Sequence, residues 1–132
     1  AAFGEAFEFS EWRSNLRIRK EGELIAYENF NCRPKIGEAL DWQSSYPCAS
    51  YASLYFMSPE PLGGLIQSIH DIDILNTSIG ASSLRSGGLG IKVLAADGIC
   101  LRKAIYLVRN MLITHSKIEF PKALQRAQTF FN

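Results

Sequence analysis

The chain has 132 residues, 47% of them hydrophobic and 20% charged, enough for one compact domain with a sizeable core. Fourteen basic residues face thirteen acidic ones for a net charge of +1, which gives no footprint for a nucleic-acid groove or an anionic membrane surface. No apolar run reaches the ~20 residues of a membrane span, and no signal-peptide pattern opens the chain. Cys32, Cys48 and Cys100 are an odd number at wide spacings, which argues against a disulfide framework and suits a reducing cytoplasm.

In chain order, Phe3–Phe9 (FGEAFEF) reads as a strand, with Phe7 and Phe9 on one side and Glu8 on the other. Asn15–Arg19 places Leu16 and Ile18 on one face and Arg17 and Arg19 on the other. A polar turn, Lys20–Glu23, leads into a second strand, Leu24–Phe30, so the pair is predicted to be a hairpin. Its outer face, bearing Glu8, Arg17, Arg19, Glu21 and Glu23, is expected to be wet. Asn31–Pro47 has two prolines and little periodicity. It reads as a long connection with one short helical turn near Gly37–Trp42, and as a candidate partner-contact loop.

Ala49–Met57 alternates Tyr51, Ser53, Tyr55 and Met57 with Ala52, Leu54 and Phe56, a strand covered on both sides. Ser58-Pro59-Glu60 has the form of a helix start, with Ser58 as N-cap and Pro59 at the first helical position. Leu62, Leu65, Ile66 and Ile69 form the apolar stripe of a short helix ending near Asp71. Gly63 and Gly64 inside it cost roughly 1 kcal/mol each relative to alanine, for which close packing is the expected reason. A further strand approaches from Ile74–Ala81, and Arg85–Gly88 turns the chain into Ile91–Ala95, where Lys92 and Leu94 make one mixed face. Asp97 stands where a helix N-cap belongs. Leu101, Ala104, Ile105, Val108, Met111 and Leu112 then follow the i, i+3, i+4, i+7 spacing of an amphipathic helix ending around His115. The tail, Glu119–Asn132, is expected to add one helical turn and two exposed phenylalanines. Residues 49–115 thus spell strand, helix, strand, strand, helix. With the hairpin, the expectation is an α+β fold of antiparallel sheets with two helices.

Little of this carries chemistry. His70, Asp71 and Asp73 form the only cluster of hard ligands, weak candidates for nickel or zinc. The plainer reading outweighs it: a polar helix C-terminus with His70 complementing the dipole, since no fourth ligand can be placed. His115 reads as a capping or packing residue. The cysteines lack zinc-site spacing. Cys100 lies near a helix N-terminus, which lowers a thiol pKa, but it has no base in reach and reads better as a small buried hydrophobe. Ser86–Gly90 precedes a strand, whereas phosphate cradles precede a helix, so it is taken as a hairpin turn. No catalytic or cofactor-binding residue is assigned.

An ordered series of residues, from Phe3-Gly4-Glu5 to about Pro121, resembles the C-terminal half of the UreD (UreH) family of urease accessory proteins. Its opening matches a paired-strand stretch running from FGEAFEF through Asn15–Arg19 to Leu24–Phe30. Its strongest part is Gly80-Ala81-Ser82, then Leu89–Leu94, then Leu101-Arg102 and the helix to Arg109. Lys92 stands where arginine is usual, and Pro121-Lys122-Ala123-Leu124 replaces a Pro-Arg-Ile-Trp signature, losing its aromatic. The resemblance implies a larger, mostly β fold, an irregular β-helical stack with two helices, of which residues 1–132 are a single-domain C-terminal fragment. It further implies a non-enzymatic cytoplasmic maturation factor. Such a factor binds apo-urease and accessory proteins F and G and assists nickel insertion, holding no cofactor tightly and handling nickel only transiently. An isolated fragment of such a stack is expected to expose a sheet edge and self-associate. From the elements alone, a small-molecule-binding regulatory α+β domain remains the alternative.

Overall fold

The structure, a computed structural model, describes residues 10–33, 50–85 and 87–116. The expectations for Phe3–Phe9, for residues 34–49 of the long connection, and for the tail lie outside the described residues. Among the described residues five strands and two helices follow in order: β1 (Trp12–Lys20), β2 (Glu23–Cys32), β3 (Ser50–Phe56), α1 (Gly63–His70), β4 (Thr77–Ser83), β5 (Leu89–Ala95) and α2 (Gly98–Ser116). They form antiparallel sheets with two helices, the α+β class expected from the order of periodicities.

β1 and β2 make the hairpin. Lys20 opposes Glu23, so Glu21 and Gly22 form a two-residue turn, and both have positive φ (51° and 82°). That is the turn type whose twist matches paired strands. The register slips between Ile18 and Arg19, because Ile18 faces Ala26 while Arg19 faces Leu24. Ile25 is therefore an extra, bulged residue, and the bulge lets two consecutive side chains, Ile25 and Ala26, both be buried. Arg17, Arg19, Glu21 and Glu23 are exposed, as a wet outer face requires.

The second sheet has the order β3-β5-β4, with β5 antiparallel to both neighbours. β3 and β4 are hence parallel, joined by a crossover through α1, and β5 fills the gap between them. Alternation along β5 is strict: Leu89, Ile91, Val93 and Ala95 are fully buried on one face. Leu62, Leu65 and Ile69 of the α1 region and Ala104, Val108 and Leu112 of α2 pack against that face to make the core. Leu101 and Met111 flank it, while Ile105, expected in the same seam, is half-buried outside it.

Two local expectations are corrected. α1 does not start at Ser58. The Ser58 hydroxyl accepts the Glu60 N–H (3.2 Å) in a local turn, and the helix begins at Gly63 with no side-chain cap. Pro61 explains this, since the residue before a proline is pushed out of the helical region, so Glu60 cannot continue a turn begun at Ser58. Close packing does not explain Gly63 and Gly64 either, because a Cβ at each would meet nothing within 4 Å. The requirement for glycine lies at Gly88. Its φ is 127°, and a Cβ there would collide with the Phe56 carbonyl oxygen at the end of β3. The Leu84 N–H donates to the Gly88 carbonyl (2.9 Å), closing the hairpin between two antiparallel strands rather than a phosphate cradle.

Candidate functional site

The face of the β3-β5-β4 sheet opposite the helices carries Tyr51, Ser53 and Tyr55 from β3, Lys92 from β5, and Ser78, Gly80 and Ser82 from β4. The hairpin meets this face through Glu28. Its carboxylate accepts hydrogen bonds from Tyr55 Oη (2.7 Å) and Ser53 Oγ (3.2 Å) and pairs with Lys92 Nζ (2.5 Å). Lys92 Nζ also donates to Ser53 Oγ (2.6 Å). Beside this polar joint, Trp12, Phe30 and Tyr51 pack edge-on and tilted, with ring centroids 5.4–5.6 Å apart. Each contact follows from strand parity. Trp12, Glu28 and Phe30 share one face of the hairpin in its register, and Tyr51, Ser53, Tyr55 and Lys92 share one face of the sheet.

The electrostatics bind this joint rather than activate it. Burial alone would raise the Glu28 pKa. Hydrogen bonds from Lys92, Tyr55 and Ser53, with the Lys92 charge, outweigh that and hold it below the ordinary carboxylate value. Burial and the bond to Glu28 push the Tyr55 phenol up to about 12, and burial with the Glu28 charge raises Tyr51. A phenol so placed stays protonated at neutral pH and is no general base. Donors and acceptors of the cluster satisfy one another, so its chemistry is that of a joint between two sheets.

His70, Asp71 and Asp73 do not converge. His70 Nε2 accepts the Ala81 N–H of β4 (3.0 Å) and lies 3.1 Å from the Ala81 carbonyl. Asp71 Oδ1 accepts from Gln67 Nε2 (2.9 Å), and Asp73 is exposed. Among the described residues no three His, Cys, Asp or Glu side chains gather as a metal-holding group. Asp97 is the N-cap its position implies, its Oδ1 accepting the Cys100 N–H (2.8 Å), and that bond lowers its pKa. The expectation for Cys100 is reversed. Burial, and after it the Asp97 carboxylate, raise the thiol pKa. His115 is half-buried with Nε2 lacking a hydrogen-bond partner, and Cys48 lies outside the described residues.

One end of the sheet presents apolar side chains to solvent. The Ala96 N–H donates to the Asn76 carbonyl (3.0 Å), joining the turns before β4 and before α2. Leu75 (81% exposed) and Ile99 (65%) flank that contact. Comparison with known proteins decides the family: the model described as UreD urease accessory protein matches residues 1–128. The chain belongs to the UreD urease accessory protein family. A curated relative, the urease accessory protein UreH of Helicobacter hepaticus, is 54% identical over 33 residues, which are 25% of this chain and 13% of that protein's length. Within this UreD chain, the Glu28 joint is the feature that residue-by-residue reading passed over. Its signal in the sequence is Lys92, the single charged residue of the otherwise apolar β5, and only the packing of the two sheets pairs it with Glu28.

Proposed function

We propose that this chain is part of a cytoplasmic urease maturation factor that assists nickel insertion into apo-urease by docking, together with urease accessory proteins F and G. The family match across residues 1–128 carries this reading. The exposed Leu75 and Ile99 support a role through contact. Nickel is cargo in this reading. We assign no nickel ligand here, since His70 Nε2 already lies against the β4 backbone and Asp71 is held by Gln67. No described helix is long and apolar enough to cross a membrane.

The test is affinity purification of the longer polypeptide containing this chain, expressed with apo-urease and accessory proteins F and G. The expected result is co-purification with urease, weakened at least tenfold by Leu75→Asp with Ile99→Asp. Both positions are exposed, so the pair leaves the melting temperature nearly unchanged. Failure of the wild type to retain urease or either accessory protein overturns the proposal.

A further inference from the structure

Among the described residues β4 is an edge strand, and the geometry shows which of its backbone groups face outward. The Asn76 carbonyl and the Leu84 N–H both bond toward the β5 side, whereas both Ala81 backbone groups face His70. Alternation along an antiparallel ladder then points the N–H and C=O of Thr77, Ile79, Ala81 and Ser83 away from β5. Among the described residues, no hydrogen bond reaches the outward backbone groups of Ile79 or Ser83. Natural edges are commonly guarded by charge, bulges or proline. β4 (TSIGASS) has none of these, while β1 carries Arg13, Arg17, Arg19 and Lys20. Among the described residues, the group that guards its middle is the His70 imidazole, an exposed side chain.

We propose that the outer edge of β4 is a strand-addition site for β4 of a second copy of this chain, closed in the single chain by His70. The register is self-complementary. A two-fold axis at Gly80 opposes Ile79 to Ala81 and Thr77 to Ser83 of the other copy, so outward groups meet outward groups on both strands. On the solvent face the same register opposes Ser78 to Ser82 and glycine to glycine. Because β4 bears no charge, pairing with itself sets no like charges opposite one another. Gly63, Gln67 and His70 lie along one side of α1, and Gly63 is exposed with open space around it, which leaves room for the second copy's helix beside the joined edge. Addition requires the imidazole to swing out and surrender one hydrogen bond, which the new ladder replaces.

Sedimentation velocity on the full chain across a dilution series tests this. The wild type is expected to show a reversible monomer–dimer equilibrium. Ser78→Lys with Ser82→Lys places like charges opposite each other twice and should weaken the dimer roughly two- to thirtyfold. Ser78→Lys with Ser82→Glu places opposite charges there and should tighten it by a similar factor. Copies carrying two lysines should form mixed dimers with copies carrying two glutamates. His70→Ala should tighten the dimer by unblocking Ala81. Both serines are exposed, so the variants are expected to keep the wild-type melting temperature at high dilution. A wild type and Lys/Glu variant that both stay monomeric throughout overturn the proposal. So does a dimer indifferent to both charge patterns, which would place the interface elsewhere, and a dimer unmoved by His70→Ala removes the plug.

Discussion

The two faces of the β3-β5-β4 sheet are held by opposite chemistries. Toward the helices, β5 presents four fully buried apolar side chains to a stripe of leucine, isoleucine, valine and alanine. Toward the hairpin, the same strand presents Lys92, half exposed, to one carboxylate that also gathers Tyr55 and Ser53. Apolar burial is non-directional and additive with area, so the helix face tolerates no loss of volume but has no dependence on protonation. The hairpin face depends on one charged group with several partners. The lesson is that one strand can anchor a core and a switchable joint at once, because its side chains alternate.

The largest expected effect breaks the apolar side. Ile91→Ala opens a cavity under both helices and should cost about 2–5 kcal/mol in denaturant unfolding. Next, Gly88→Ala forces a methyl against the Phe56 carbonyl in a left-handed backbone conformation and should cost about 1–3 kcal/mol, measured in the same way. On the polar side, Glu28→Leu strands the Lys92, Tyr55 and Ser53 donors and should cost about 1–3 kcal/mol. Replacing Glu28 and Lys92 together by apolar residues should cost less than the single change at Glu28, and a double-mutant cycle reads that difference.

The comparison sharpens further with pH. The Glu28 pKa is lowered in the fold, so its stabilisation is present above the unfolded value of 4.5 and is lost as pH falls through the lower folded value. Tyr55 is shifted the other way. Its contribution is present below 10.0 and disappears as pH rises from there to about 12. Unfolding followed against pH should show both limbs, with Glu28→Gln reducing the acid limb and Tyr55→Phe the alkaline one. The smallest effect belongs to Asp97→Ala, which removes the α2 cap for about 0.5–2 kcal/mol.

Where structure is dictated by neighbours in sequence, it was legible. The hairpin follows from two alternating runs around Glu21-Gly22, the α2 cap from Asp97, and the element order of residues 49–115 from changes in hydrophobic period. At the start of α1 two local signals conflict, the capping signature at Ser58 and the constraint that Pro61 puts on Glu60, and the second prevails. At Cys100 the helix end is legible in the sequence, but the burial that does most to raise its thiol pKa, with Asp97 beside it, is set by the fold. The Glu28 joint joins residues from three strands in two sheets, and no local rule relates such positions. His70 shows the same limit. Its place at a helix C-terminus could be read, but its bond to Ala81 depends on where the crossover sets β4 down.

That crossover also governs how the chain must assemble. β3 and β4 touch through β5 and not through each other, so when synthesis has delivered residues 50–83 the two strands have a gap between their inner edges. Neither ladder can close until Leu89–Ala95 has emerged and inserted, and the apolar face that α2 will cover is then the last to be sealed. The β4–β5 hairpin can close locally, whereas β3 must wait for β5 and pair across more than thirty intervening residues, a slower step during which its bare inner edge is exposed to other chains.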